Sequence, residues 1–131
     1  MKNLSKVMFL TMVLVLSSCA NVSKFPVSSV TPAANIEVKK QHDRNGNTIL
    51  TIEAKNLASA ERLSPPRKMY VAWIVLENNE TRNIGQLKNK NAKVAEIKTL
   101  TPFKFTEIFI TAEDQADVLY PAGEEISRIK F

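Results

Sequence analysis

Three places in this sequence carry side chains able to do chemistry. Cys19 is the only thiol among 131 residues and stands behind an apolar run. A thiol is a nucleophile, and one thiol alone cannot close an internal disulfide or build a zinc site of the usual Cys/His kind. His42 is the only imidazole and is followed directly by Asp43, a pair of the type used for acid–base work. Glu113, Asp114 and Asp117 gather three carboxylates within five positions, the composition of a loop that attracts hard cations such as calcium. Each has a plainer reading. His42-Asp43 falls in a polar turn with no nucleophile brought near it by pattern, and the 113–117 spacing is not that of an EF-hand. Three glycines leave no G-x-x-x-x-G-K phosphate loop. The sequence offers no catalytic set, no cofactor-binding set and no metal set, and the expectation is a protein that is not an enzyme.

The thiol gains its meaning from what precedes it. Lys2 and Lys6 come before ten mostly apolar residues, Val7 to Leu16, and then Ser17-Ser18-Cys19. A charged start, a short apolar run and small residues make a secretory signal peptide, because the run is too short to span a bilayer, which takes about 20 residues. Leu16-Ser17-Ser18-Cys19 resembles the lipobox of bacterial lipoproteins. That resemblance implies cleavage after residue 18, a diacylglycerol on the Cys19 thiol and an acylated new amino group. Two or three acyl chains, at about 0.8 kcal/mol per buried methylene, hold a protein on a membrane where a single chain does so only marginally. Ala20 stands where an Asp tends to retain enterobacterial lipoproteins at the inner membrane, so the resemblance leans to the outer membrane.

Processing also changes the charge. The whole chain has 18 Lys+Arg against 13 Asp+Glu, a formal +5. Loss of Lys2 and Lys6 leaves 16 against 13, a mild +3. Nucleic-acid binding thereby loses its main motivation. The remaining basic places, Lys39-Lys40, Arg67-Lys68 and Lys88-Asn89-Lys90, are scattered over separate turns. They read as solubilising charge, with a basic face toward anionic headgroups as the functional alternative.

Residues 19–34 read as a lipidated flexible tether, rich in Ser and holding Pro26 and Pro32, with a partly ordered strand around Phe25 to Val30 as the alternative. The body, 35–131, reads as short strands. Residues 35–41 and 48–56 alternate around Asn45-Gly46 and make a first hairpin. Residues 58–68 form a connection broken by Pro65-Pro66, with one helical turn near Ala58 to Leu63. Met69 to Leu76 is apolar on both faces, as in a central strand. Residues 81–87 return from a polar turn, with a bulge expected at Gly85. Strands follow near 94–100, 103–113 and 126–131, with a polar loop over 114–125 and a turn at Pro121-Ala122-Gly123. About seven strands with regular turn signals, and no long amphipathic helix, give an all-β fold, an antiparallel two-sheet sandwich.

Tyr70-Val71-Ala72-Trp73-Ile74, Asn83-Ile84-Gly85-Gln86-Leu87, the 103–113 strand and Pro121-Ala122-Gly123 together resemble the extracytoplasmic domain of anti-sigma-K-type regulators. That domain is a small Ig-like sandwich. The chain is similar, too, to small lipoproteins of Bacteroidetes-type bacteria. The resemblance covers about residues 69–131 and implies an Ig-like β-sandwich. Sigma-factor binding needs a cytoplasmic helical domain, for which these residues have no counterpart, so only the fold is carried over.

Within the central strand, parity separates two faces. Val71, Trp73 and Val75 are expected to plug the core. Tyr70, Ala72, Ile74 and Leu76 are then a candidate partner face, if nothing covers them. The functional expectation is a lipid-anchored, non-enzymatic binding or structural module of the bacterial envelope, with the membrane as partner through Cys19. The alternative is an accessory subunit docking on an envelope protein through the Tyr70 face. A metal-dependent binder or enzyme using 113–117 ranks last.

Overall fold

The computed structural model describes residues 21–131. The signal peptide expected over 1–18 and Cys19, the expected lipid attachment site, lie outside the described residues. The described chain is all-β, with strands β1 (Asn21–Lys24), β2 (Asn35–His42), β3 (Thr48–Lys55), β4 (Met69–Leu76), β5 (Thr81–Asn89), β6 (Val94–Thr101), β7 (Phe105–Glu113) and β8 (Glu125–Lys130). A 3-10 turn at Ala60–Arg62 interrupts the β3–β4 connection. The strands form one antiparallel sheet in the order β1-β2-β3-β6-β5-β4-β7-β8, nearly closed into a barrel. Among the described residues no helix is long and apolar enough to cross a membrane.

The alternation read from the sequence sets the elements. In β3, Leu50, Ile52 and Ala54 are fully buried while Thr51 and Glu53 are not, and β2 matches them with Ile36 and Val38 across the register Ile36↔Ala54 and Val38↔Ile52. The turn between them differs from the expected two-residue hairpin. Only Gly46 has positive φ there, because the loop runs from Asp43 to Asn47. The Asp43 carboxylate accepts the backbone N–H of Asn45 (2.9 Å) and of Asn47 (2.8 Å) and the side-chain amide of Asn47 (2.9 Å), and this Asx arrangement takes the place of a tighter turn. Those bonds, the Asn47 side chain first, hold the Asp43 carboxyl below its usual pKa. At Gly85 the expected bulge is present: Ala72 pairs with Gly85 but Trp73 with Asn83, leaving Ile84 as the extra residue.

The eight strands are built in two halves. β1, β2, β3 and β6 make one half, and β8, β7 and β4 the other. β5 joins them by changing partners. Thr81 to Leu87 pairs with β4, whereas Lys88 and Asn89 pair with Glu96 and Ala95 of β6. Between the halves lies one core of Ile36, Val38, Leu50, Ile52, Tyr70, Ala72, Ile74, Leu76, Ile108, Ile110 and Ile126 with smaller neighbours.

The segment expected as a flexible tether is instead part of the wall. β1 pairs with β2 from Asn21↔Lys40 to Lys24↔Glu37, and the Phe25 N–H donates to Ile36 O at 2.9 Å. Phe25 is buried, and Ser28 turns the chain by accepting the N–H groups of Val30 and Thr31. The Ser127 hydroxyl donates to Pro26 O at 2.8 Å and so draws β8 toward this segment. Composition hides this, because the anchoring rests on one aromatic ring inside a Ser- and Pro-containing run. Phe25→Ala is expected to cost about 3–4 kcal/mol of unfolding free energy in a denaturant titration. An unchanged midpoint would mean that the segment is a free linker after all.

Candidate functional site

The structure reassigns the two faces of β4. Tyr70, Ala72, Ile74 and Leu76, the candidate partner face, are exposed by only 6, 0, 0 and 8%. They belong to the main core and offer no docking surface. Val71, Trp73 and Phe109 form a second buried cluster on the opposite face, with Met69, Val75 and Val118 packed around it. Parity correctly grouped the residues, but it cannot say which group points inward. Both groups are covered, the outer one by the 114–123 loop.

That loop is held by a buried polar relay. The Trp73 indole N–H donates to Thr111 Oγ1 at 2.8 Å, and the Thr111 hydroxyl donates to Glu113 Oε1 at 3.2 Å. Glu113, 1% exposed, accepts the backbone N–H of Ala122 (2.6 Å) and of Gly123 (3.0 Å). On the other side of the loop, the Asn83 amide donates to Ala116 O and Val118 O at 2.8 and 2.9 Å. Gly123 is required by proximity: a Cβ there would lie 1.5 Å from Ala112 O. Trp73 stacks on Phe109 with centroids 6.1 Å apart, and Arg128, ion-paired with Glu107 and Glu125, covers the far side of the Phe109 ring.

The carboxylates of 113–117 therefore do not converge. Glu113 is turned inward to the loop backbone, and Asp114 pairs with Arg67 at 3.1 Å. Among the described residues no cluster of three or more His, Cys, Asp or Glu is arranged to hold a metal ion. His42 lies beside Thr48, whose hydroxyl is 3.5 Å from its Nδ1, and its charge contributes only the smallest of the effects on Asp43.

The candidate site lies where β5 changes partners. As β5 leaves β4 for β6, the two halves part and open a cleft of about 510 Å³. Buried Tyr70, Leu87 and Ala95 contribute its apolar part. Residues 57–60 make one wall, fixed by the Tyr70 hydroxyl, which donates to Ala58 O at 2.6 Å. The β5–β6 turn makes another and is tied to the end of β3 through the Asn56 N–H and Lys93 O (2.8 Å). Four cations line the opening, Arg62, Lys68, Lys88 and Lys93, together with Ser59, Gln86 and Asn89. The lining includes no carboxylate, and none of the four cations belongs to an ion pair among the described residues. Like charges gathered around a concavity raise the local concentration of anions. A cleft of this volume admits a small molecule. Burial pushes the Tyr70 phenol up to about 12, so at neutral pH it stays a neutral donor. The sequence held this site only as scattered basic residues, since Arg62 and Lys68 come from the β3–β4 connection and Lys88 and Lys93 from the β5–β6 hairpin, two segments that meet only in the folded chain.

Two outcomes follow. Glu113→Ala leaves the Ala122 and Gly123 N–H groups and the Thr111 hydroxyl without their acceptor, at an expected cost of about 1–3 kcal/mol. The emission of Trp73, the only tryptophan, should shift to the red as the loop loosens; an unshifted spectrum would show that the relay does not hold the cover. The second concerns pH. An unfolded tyrosine ionises near 10 and Tyr70 only near 12, so stability from its neutral form is complete below about pH 10 and is lost as pH rises toward 12. Tyr70→Phe should remove that part of the alkaline decline in thermal unfolding, and an identical decline would assign it to other groups. No family model matches the chain, and comparison with the curated proteins and with the solved structures found no match.

Proposed function

We propose that this chain is a lipid-anchored protein of the bacterial envelope, held at the outer membrane, that binds an anionic small molecule without transforming it. The cleft carries this reading: Arg62, Lys68, Lys88 and Lys93 surround it without a carboxylate among its lining residues. Its ligand class is a compound bearing phosphate or carboxylate groups, which ammonium and guanidinium donors recognise by charge-assisted hydrogen bonds. The lining has one hydroxyl besides Tyr70, that of Ser59, and no imidazole or carboxylate to activate it, which favours binding over catalysis. The lipobox-like Leu16-Ser17-Ser18-Cys19 supports the anchor. The resemblance to the Ig-like domain of anti-sigma-K-type regulators is supported by the pairing of β3 with β6 and of β4 with β7, long-range connections of the kind a Greek-key sandwich uses. The accessory-subunit reading loses its docking face, because Tyr70, Ala72, Ile74 and Leu76 are core.

Two measurements test the proposal. Calorimetric titration with inorganic pyrophosphate at low salt should show saturable binding, and replacing both cations in Arg62→Gln/Lys88→Gln should weaken it by about tenfold or more, the equivalent of 1.4 kcal/mol. Equal affinity in the variant, or no binding by the parent protein, would overturn the cleft as an anion site. For the anchor, Cys19→Ala should move the protein out of the detergent-extracted membrane fraction and abolish incorporation of labelled palmitate. Retention of the label in that variant would overturn lipidation at this residue.

A further inference from the structure

The barrel has two unlike ends. One carries the cleft, the β3–β4 connection and the 114–123 loop. The other carries the 43–47 turn, the 77–80 turn, the 102–104 crossover and Phe131. By register, Asn21 sits near this second end: it pairs with Lys40, two residues before the end of β2, and Lys40 in turn pairs with Leu50 near the start of β3. β1 runs antiparallel to β2, so Asn21 is the end of β1 nearer to His42. Cys19 is two residues ahead of Asn21, and two residues span at most about 7 Å.

At that same end the surface is apolar and cationic together. Leu100, Phe103 and Phe131 are 52, 45 and 48% exposed. Lys40 Nζ stands 3.5 Å from the Phe131 ring centroid, and the Arg82 guanidinium lies 5.2 Å from that of Phe103. Lys98 flanks Leu100, Lys104 follows Phe103, and Arg44 projects from the neighbouring turn; none of these three is in an ion pair among the described residues. The acidic groups of this end are Asp43, Glu77, Glu80 and Glu107. Asp43 is bonded within its turn, Glu80 pairs with Arg82, and Glu107 pairs with Arg128 and Lys130, while Glu77 is exposed and in no ion pair among the described residues. Large apolar side chains beside free cations fit the boundary between acyl chains and anionic headgroups.

We infer that this end of the barrel, through Leu100, Phe103, Phe131 and their lysines and arginines, lies on an anionic lipid surface and holds the cleft facing away from it. The inference rests on the anchored reading, since the acylated Cys19 would emerge beside these residues. A lipid surface is its one occupant: the short reach from Cys19 delivers the patch to the bilayer, and the free charge is complementary to acidic headgroups.

The test uses the full chain, produced in a bacterium that acylates lipoproteins and reconstituted into vesicles of phosphatidylethanolamine and phosphatidylglycerol. Phe103→Cys and, at the cleft end, Leu119→Cys each supply a thiol for a bimane label; Leu119 is 79% exposed. Lipids carrying a nitroxide should quench the label at position 103 at least about twofold more than at 119, and the difference should shrink in phosphatidylcholine vesicles. Equal quenching at both positions overturns the orientation, and an unchanged difference in phosphatidylcholine overturns the part assigned to the cations. The mass of the amino-terminal peptide separates the two readings. Acylated Cys19 with no preferential quenching sinks the docked end alone. A Cys19 without acyl mass sinks the anchor, and preferential quenching in such a protein would still support the docked end.

Discussion

One strand serves two halves. β5 hydrogen-bonds to β4 along most of its length and gives its last two residues to β6. A strand paired with β4 to its end would leave the two halves as separate layers. A strand shifted wholly to β6 would strip β4 of a neighbour and expose its edge. The shared arrangement makes one nearly closed sheet and forces a gap where the hand-over occurs. The bulge at Ile84 lets β5 bend between its partners, and Gly85, with φ of +124°, adopts a backbone conformation that a residue with a Cβ rarely takes. The cleft is thus a product of closure geometry. Its cations come from the segments that border the gap.

Covering the barrel posed a second problem. β4 is apolar on both faces, and a single sheet around one core buries only the inner one. The outer face is covered by the 114–123 loop, which it holds with a buried carboxylate as well as with the apolar contact of Val118. Glu113 satisfies two loop N–H groups, Thr111 bridges it to the indole of Trp73, and Asn83 takes the loop carbonyls. Burying such a group is tolerable only when each of its partners is supplied. An acidic stretch such as 113–117 can therefore serve structure, with the inward carboxylate of Glu113 at the end of β7 acting as a clasp.

The sequence showed the strand content and most boundaries, because period-two alternation and turn residues are local signals. It showed that Tyr70, Ala72, Ile74 and Leu76 share a face, and that Gly85 marks an irregularity. It did not show which face of β4 points inward, since a run of eight apolar residues satisfies either answer and the deciding cover lies some forty positions away. β1 was hidden for a similar reason: a four-residue strand beside Ser and Pro has no periodicity of its own and exists through β2 and the burial of Phe25. The cleft was illegible because its four cations lie on segments distant in sequence. The lipid anchor stands apart, as a reading of residues 1–19 that owes nothing to the fold.

The bond from Ser127 to Pro26 joins positions 101 apart. It is a constraint in time as well as in space. A chain emerging amino end first has its β1 edge ready long before the residue that must meet it exists, and the barrel stays open until almost the whole polypeptide is present. Through that interval the free edges of β1 and, later, β8 offer unpaired backbone to any neighbouring strand. The contact between the first and last segments therefore forms late, and even in the finished sheet the outer edges of β1 and β8 are not paired with each other.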